Sequence, residues 1–134
     1  MMQIEGHGVA WGAHDEQELE AVLRRRDRRG GGLFWLFDEA RAFPCLAIRV
    51  SGEWSAIDYF PNEEHPGLRC LGDANRQSTG TTALVYEGCD PITGDEEPNE
   101  FLVPFATTLI VAKHFFRTKA MYSSVQWYSL IHGE

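Results

Sequence analysis

The sequence predicts an α+β domain, a mostly antiparallel sheet with two main helices packed on one face. Between Leu33 and Tyr86, runs of β-branched and aromatic residues alternate with glycine, proline and acidic stretches, the pattern of hairpin-connected strands. One capped helix pattern precedes these runs, and a second, opened by Pro104, follows them. No period of roughly 20 to 50 residues recurs, which excludes a repeat array. At 134 residues the chain suits one domain over 1–134, long enough to bury roughly two thirds of the surface of its unfolded form.

Taken in order, Asp15-Glu16-Gln17-Glu18 has the form of a capping box. Asp15 accepts from free amides of the first turn, and Glu18 reaches back. The helix continues through Leu19, Val22 and Leu23, with Glu16, Glu18 and Glu20 at its start and Arg24, Arg25 and Arg26 at its end, as the helix dipole favours. Gly30-Gly31-Gly32 ends it, because glycine accepts the positive φ of a C-terminal cap. The arginines from Arg24 to Arg29 stand beside Asp27 without interleaved aromatics, so they read as a solvated helix end and not as a nucleic-acid patch.

Leu33 to Phe37 has the propensity and length of a buried strand. Cys45 to Val50 and Trp54 to Phe60, joined across Ser51-Gly52-Glu53, read as a hairpin. In its second strand Ala56, Asp58 and Phe60 point one way and Ser55, Ile57 and Tyr59 the other; neither set is purely apolar, so the buried face stays open. Leu68 to Leu71 and Thr82 to Tyr86 are short strands, separated by a loop over 72–80, and 88–98 is an acidic loop. Pro104 suits the first turn of a helix. Phe105, Leu109, Ala112 and Phe116 then share one face, widened by Ile110, Val111 and Phe115, which makes this the central core helix. Val125 to Leu130 looks like the last strand, and Phe105, Leu109, Phe115, Phe116 and Trp127 are assigned to the core.

Hydrophobic residues make up 43% and charged residues 24%, close to the soluble average, which favours neither disorder nor a membrane class. The N-terminus lacks the basic segment and apolar stretch of a secretory signal, so a cytoplasmic address is expected. Cys45, Cys70 and Cys89 are odd in number and widely spaced, the pattern of reduced thiols. The net charge is −8, and the segment from Val50 to Ala112 alone holds eleven carboxylates against Arg69 and Arg76. Such a surface repels nucleic acid and anionic lipid and attracts a basic protein.

Catalytic motifs are missing: there is no G-x-S-x-G, P-loop, H-E-x-x-H or zinc-deaminase signature. His7 and His14 stand seven apart, a possible helical spacing for metal ligands, but no third or fourth ligand completes a set, so neither metal nor cofactor is expected. His65 beside Glu63 and Glu64 is a weak acid-base candidate, and Gln77 to Thr82 lacks the lysine of a phosphate cradle.

Toward the C-terminus, Asn99 follows an acidic loop, Val103-Pro104 opens a helix closing in Phe115, Phe116 and Thr118, and Val125 and Trp127 form a Val-x-Trp strand. Upstream stand Ile57-Asp58-Tyr59-Phe60, Pro66-Gly67-Leu68 and Gly72. In these residues the chain resembles the first-numbered immunity-protein family of bacterial polymorphic toxin systems. It departs where Phe105-Ala106-Thr107-Thr108 replace the acidic residue and alanine expected after Val-Pro, and residues before Leu33 match no part of the pattern. The resemblance implies a non-enzymatic antitoxin of interbacterial competition that binds a toxin domain one-to-one and occludes its active site. Toxins paired with the family include nucleic-acid deaminases and nucleases, whose basic clefts an acidic plug would fit.

The candidate toxin-binding residues are Asp58, Glu63, Glu64, Asp73, Asp90, Asp95, Glu96 and Glu97, with Trp54 and Tyr59 as aromatic anchors. Changing Asp95, Glu96 and Glu97 together to lysine is expected to weaken binding and leave folding unchanged. Two alternatives stand beside this reading: a non-catalytic adaptor subunit, and a small enzyme using Asp58 with Glu63 or Glu64 as a carboxylate pair.

Overall fold

The computed structural model describes residues 1–72 and 79–131. Strands β1 (Met2–Gly6) and β2 (Val9–Ala13) form a hairpin, followed by helix α1 (Glu16–Leu23). Strands β3 (Gly31–Asp38), β4 (Arg41–Ser51), β5 (Trp54–Phe60), β6 (Leu68–Cys70), β7 (Thr81–Leu84) and β8 (Asp95–Pro98) come next. A 3-10 turn (Asn99–Phe101), β9 (Val103–Pro104), helix α2 (Phe105–Thr118) and β10 (Trp127–Ser129) complete the described chain. The large sheet runs β10-β6-β5-β4-β3-β1-β2 with β9 also on β5, and β7-β8 form a separate ribbon. All of these pairings are antiparallel, so the fold is α+β as the sequence predicts.

Both helices pack on one face. Ile4, Phe34, Leu36, Leu46, Ile48 and Ile57 meet Leu19, Val22 and Leu23 of α1 and Leu109, Ala112 and Phe115 of α2. Lys113 pairs with Glu20, and both carboxylate oxygens of Glu16 accept from Arg117 at 2.9 Å, tying the helices together. The β7-β8 ribbon covers part of the opposite face, where Leu84, Tyr86 and Leu102 pack on Ala56 with Leu33 and Trp54 beside them. Strand β5 is therefore buried from both sides, which explains why its alternation assigned no single buried face.

Several local expectations are corrected. Residues 2–13 form a hairpin whose turn, His7-Gly8, has φ of 52° and 74°, the positive pair a two-residue type I′ turn requires. His7 thus sits in a turn and His14 precedes α1, so their spacing is not helical. The Asp15 side chain caps the Glu18 amide at 2.8 Å, but Glu18 reaches past Asp15 to the His14 amide at 2.9 Å. Helix α1 ends at Leu23, and Gly31 and Gly32 open β3 instead of capping it. A side chain at Gly31 would meet the Val85 carbonyl at 2.2 Å, so glycine here admits the chain that follows β7.

The arginines after α1 are mostly exposed, as a solvated helix end predicts, and Arg24, Arg25 and Arg26 also make contacts within the chain. Arg24 pairs with Glu20 at 2.8 Å, Arg25 lies over Trp11, and Arg26 lies over Phe105 while donating to the Leu23 carbonyl. The acidic loop over 88–98 gives its last four residues to β8. Pro104 belongs to β9 and caps α2 from outside its first turn, and Ile110 of α2 is exposed. Leu109 and Phe115 are buried as expected, with Phe105, Phe116 and Trp127 packed at the core margin. Cys45 and Cys70 are buried free thiols, with burial pushing both up to about 11, and Cys89 is half-buried. No described helix is long and apolar enough to cross a membrane.

Phe115 is fully buried between α2 and the sheet. Phe115→Ala should cost about 3–5 kcal/mol of unfolding free energy by urea titration, the range for emptying such a site. A loss below about 1 kcal/mol would contradict its central place in the core.

Candidate interaction surface

The second face of the sheet carries charge where a core usually carries carbon. Arg49 of β4, Asp58 of β5 and Arg69 of β6 project on this side, and β8 brings Asp95 and Glu97 down onto them. Glu97, only 3% exposed, accepts from Arg69 at 2.8 Å through one oxygen and from Arg49 at 2.9 Å through the other. Arg69 grips Asp58 with two bonds of 2.7 and 3.0 Å, and Arg49 donates to Asp95 at 2.8 Å. The Tyr86 hydroxyl donates to the same Asp95 oxygen at 2.7 Å.

Each charge answers to its neighbours. Burial opposes the Asp95 carboxylate, but hydrogen bonds from Tyr86 and Arg49 and the arginine charges outweigh it and hold its pKa below the ordinary value. For Arg49, burial likewise works against the cation, while Asp95 and Glu97 more than restore it and raise its pKa. Burial, then the bond to Asp95, raises the Tyr86 phenol. Five charges thus form one connected, half-buried array that mainly supports the fold.

This array accounts for three of the sequence-predicted binding residues, Asp58, Asp95 and Glu97, which are engaged inside the molecule. The expectation that a lysine triple at Asp95, Glu96 and Glu97 leaves folding unchanged is therefore overturned, because two of those positions would set like charges against Arg49 and Arg69. Only Glu96 points outward. Glu63 and Glu64 are exposed in the β5–β6 loop, and Asp90 is exposed but accepts from the Ile92 and Thr93 amides, which lower its pKa. Asp73 lies outside the described residues, as do Gln77 and Ser78 of the loop considered for anion binding.

The two aromatic candidates separate. Tyr59 faces the helices, edge-on to Phe115 and Trp127, and Trp54 packs on the opposite side beside Leu84, Tyr86 and Leu102. Asp58 is committed to Arg69, and no hydrogen bond joins it to Glu63 or Glu64. Among the described residues no group of three His, Cys, Asp or Glu side chains is placed to hold a metal ion.

Beyond the β7-β8 ribbon the second face carries an exposed aromatic side chain that sequence reasoning missed. Trp35 is 40% exposed and stacks on Phe60 with ring centroids 5.9 Å apart. The run Leu33 to Phe37 predicts a buried strand, yet a two-residue period puts Phe34 and Leu36 on the helix side and Leu33, Trp35 and Phe37 on the other. That alternation is the signal that could have found it. Beside Trp35 lies a cavity of about 620 Å³ bordered by Glu5, Leu33 and Glu87.

Glu97→Ala should lower unfolding free energy by about 3–5 kcal/mol, as expected when one member of a buried charge array is removed and its partners stay. The Asp95 charge stabilises the fold fully above its unfolded pKa, and that stability is lost as pH falls through the depressed folded value. Asp95→Asn should accordingly destabilise at neutral pH and flatten the acid limb of a stability-pH curve measured by urea unfolding. An acid limb as steep as that of the unaltered chain would exclude this role.

No protein-family model matches the chain, and no curated protein matches it in sequence.

Proposed function

We propose that the chain is a cognate immunity protein: a cytoplasmic, non-enzymatic inhibitor that binds one-to-one to a bacterial toxin domain and occludes its active site. The toxin is a basic, nucleic-acid-targeting enzyme, a deaminase or a nuclease, delivered by a secretion system. The observation that carries this reading is the acidity left over once the internal array is complete. Glu5, Glu53, Glu63, Glu64, Glu96 and Glu100 face solvent with no ion pair among the described residues. Arg69, from the acidic segment, and Arg49, just before it, are turned inward and do not offset them.

The residues of the family resemblance support the reading from another side. Val103-Pro104 leads into α2, Phe115 and Phe116 close that helix, and Trp127 packs against Tyr59. They serve as scaffold, whereas the exposed carboxylates lie outside the buried core. That division suits an inhibitor, whose specificity is written on a surface carried by a stable frame.

Calorimetry against the C-terminal domain encoded by the neighbouring upstream gene, with the toxin's activity assayed alongside, tests the proposal. One-to-one binding near nanomolar, about −12 kcal/mol, with loss of toxin activity is the expected result. No binding at micromolar concentration would reject that pairing and favour an orphan immunity protein or an adaptor. In the same assay Glu63→Lys with Glu64→Lys should slow association and reduce its salt dependence, with unchanged thermal unfolding, because both side chains are exposed and unpaired. Unaltered association would remove this loop from the interface.

A further inference from the structure

The geometry points to a guanidinium-binding pocket at Trp35, which takes an arginine side chain from a basic partner protein. Glu5 stands directly across from Trp35 in the β1–β3 register, so both side chains leave the sheet on the same face. Their outer neighbours in the same row are Ala10 and Ala47, too short to cover them. Phe60 stacks on Trp35 from the β5 side and steadies the ring, while the cavity of about 620 Å³ opens toward β1 and β2. Glu87 borders the same cavity, and among the described residues no arginine or lysine lines it.

The chemistry of these walls selects the occupant. An indole face attracts a cation through its quadrupole, and a planar guanidinium can stack on the ring while its edge donates to carboxylates. Glu5 has no ion pair among the described residues. Glu87 is held at 2.8 Å by Arg28, a side chain 92% exposed, so an incoming guanidinium either joins that pair or displaces an exposed arm. An ammonium would find the same charges but no planar match to the ring, and an uncharged ligand would gain only the apolar contact. The pocket rests on the inhibitor reading only for the identity of the partner, for which it supplies the aromatic anchor that charges alone do not provide.

The test uses the intact chain, ¹⁵N-labelled, with the indole N–H signals of its four tryptophans followed by NMR. The probes are acetyl-Gly-Arg-Gly-amide and the same peptide with citrulline, which keeps the shape and loses the charge. The arginine peptide should move, at millimolar concentration, the one indole signal that is missing in Trp35→Phe, and the citrulline peptide should not. Glu5→Gln should weaken the effect by about two- to fivefold, the scale of one exposed ion pair. Equal shifts by both peptides, movement confined to other tryptophans, or no shift at all would overturn the pocket. With the toxin domain, Trp35→Ala should raise the dissociation constant by at least about tenfold, as for an aromatic anchor, and an unchanged constant would remove Trp35 from the interface. Arginine-peptide binding without toxin binding would leave the pocket standing and reject only the pairing with that toxin.

Discussion

Glu97 is the point on which the second face of the sheet depends. It holds arginines from β4 and β6 with its two oxygens, and those arginines in turn hold Asp58 and Asp95. Two guanidinium groups on a covered sheet face would be strongly unfavourable alone, since desolvating a charge costs several kcal/mol unless partners replace its water. Strand β8 supplies those partners, and in doing so is pinned over the sheet. The small ribbon is therefore attached by two means, the apolar contacts of Leu84, Tyr86 and Leu102 and the charge array beside them.

This arrangement divides the acidic residues into two populations. Asp58, Asp95 and Glu97 neutralise internal cations and contribute to the fold, whereas Glu5, Glu63, Glu64 and Glu96 are left to solvent. Net charge alone cannot separate them, because a carboxylate contributes the same −1 to the total whether or not it is paired. The ribbon also leaves part of its face uncovered, and there Trp35 and Phe60 stand at the surface beside Glu5. An aromatic pair next to an unpaired carboxylate combines the apolar contact and the electrostatic steering that a protein interface uses.

Local pattern was legible wherever one face of an element meets one core. Helix α2 shows its 3.6-residue period in Leu109, Ala112 and Phe115, and the β4–β5 hairpin shows its glycine turn at Gly52, φ 61°. Strand β8 was hidden because Asp95-Glu96-Glu97-Pro98 has poor strand propensity; it is extended because its partners, β7 and the two arginines, hold it so. The β1–β2 hairpin was hidden for another reason: its turn is His7-Gly8, and histidine at the first positive-φ position lacks the familiar asparagine signal.

By itself the sequence determined the α+β class, the central helix, the principal hairpin and the excess of acid, because periodicity, turn chemistry and composition are properties of neighbouring residues. Only the tertiary structure decided which acids are spent within the fold and which face outward. Arg49 and Glu97 stand 48 residues apart in the chain, and their contact exists only after β8 folds back over β4. The exposure of Trp35 has the same origin: its strand is an unbroken apolar run like a buried one, and the limited reach of the β7-β8 ribbon is what leaves that ring in contact with water.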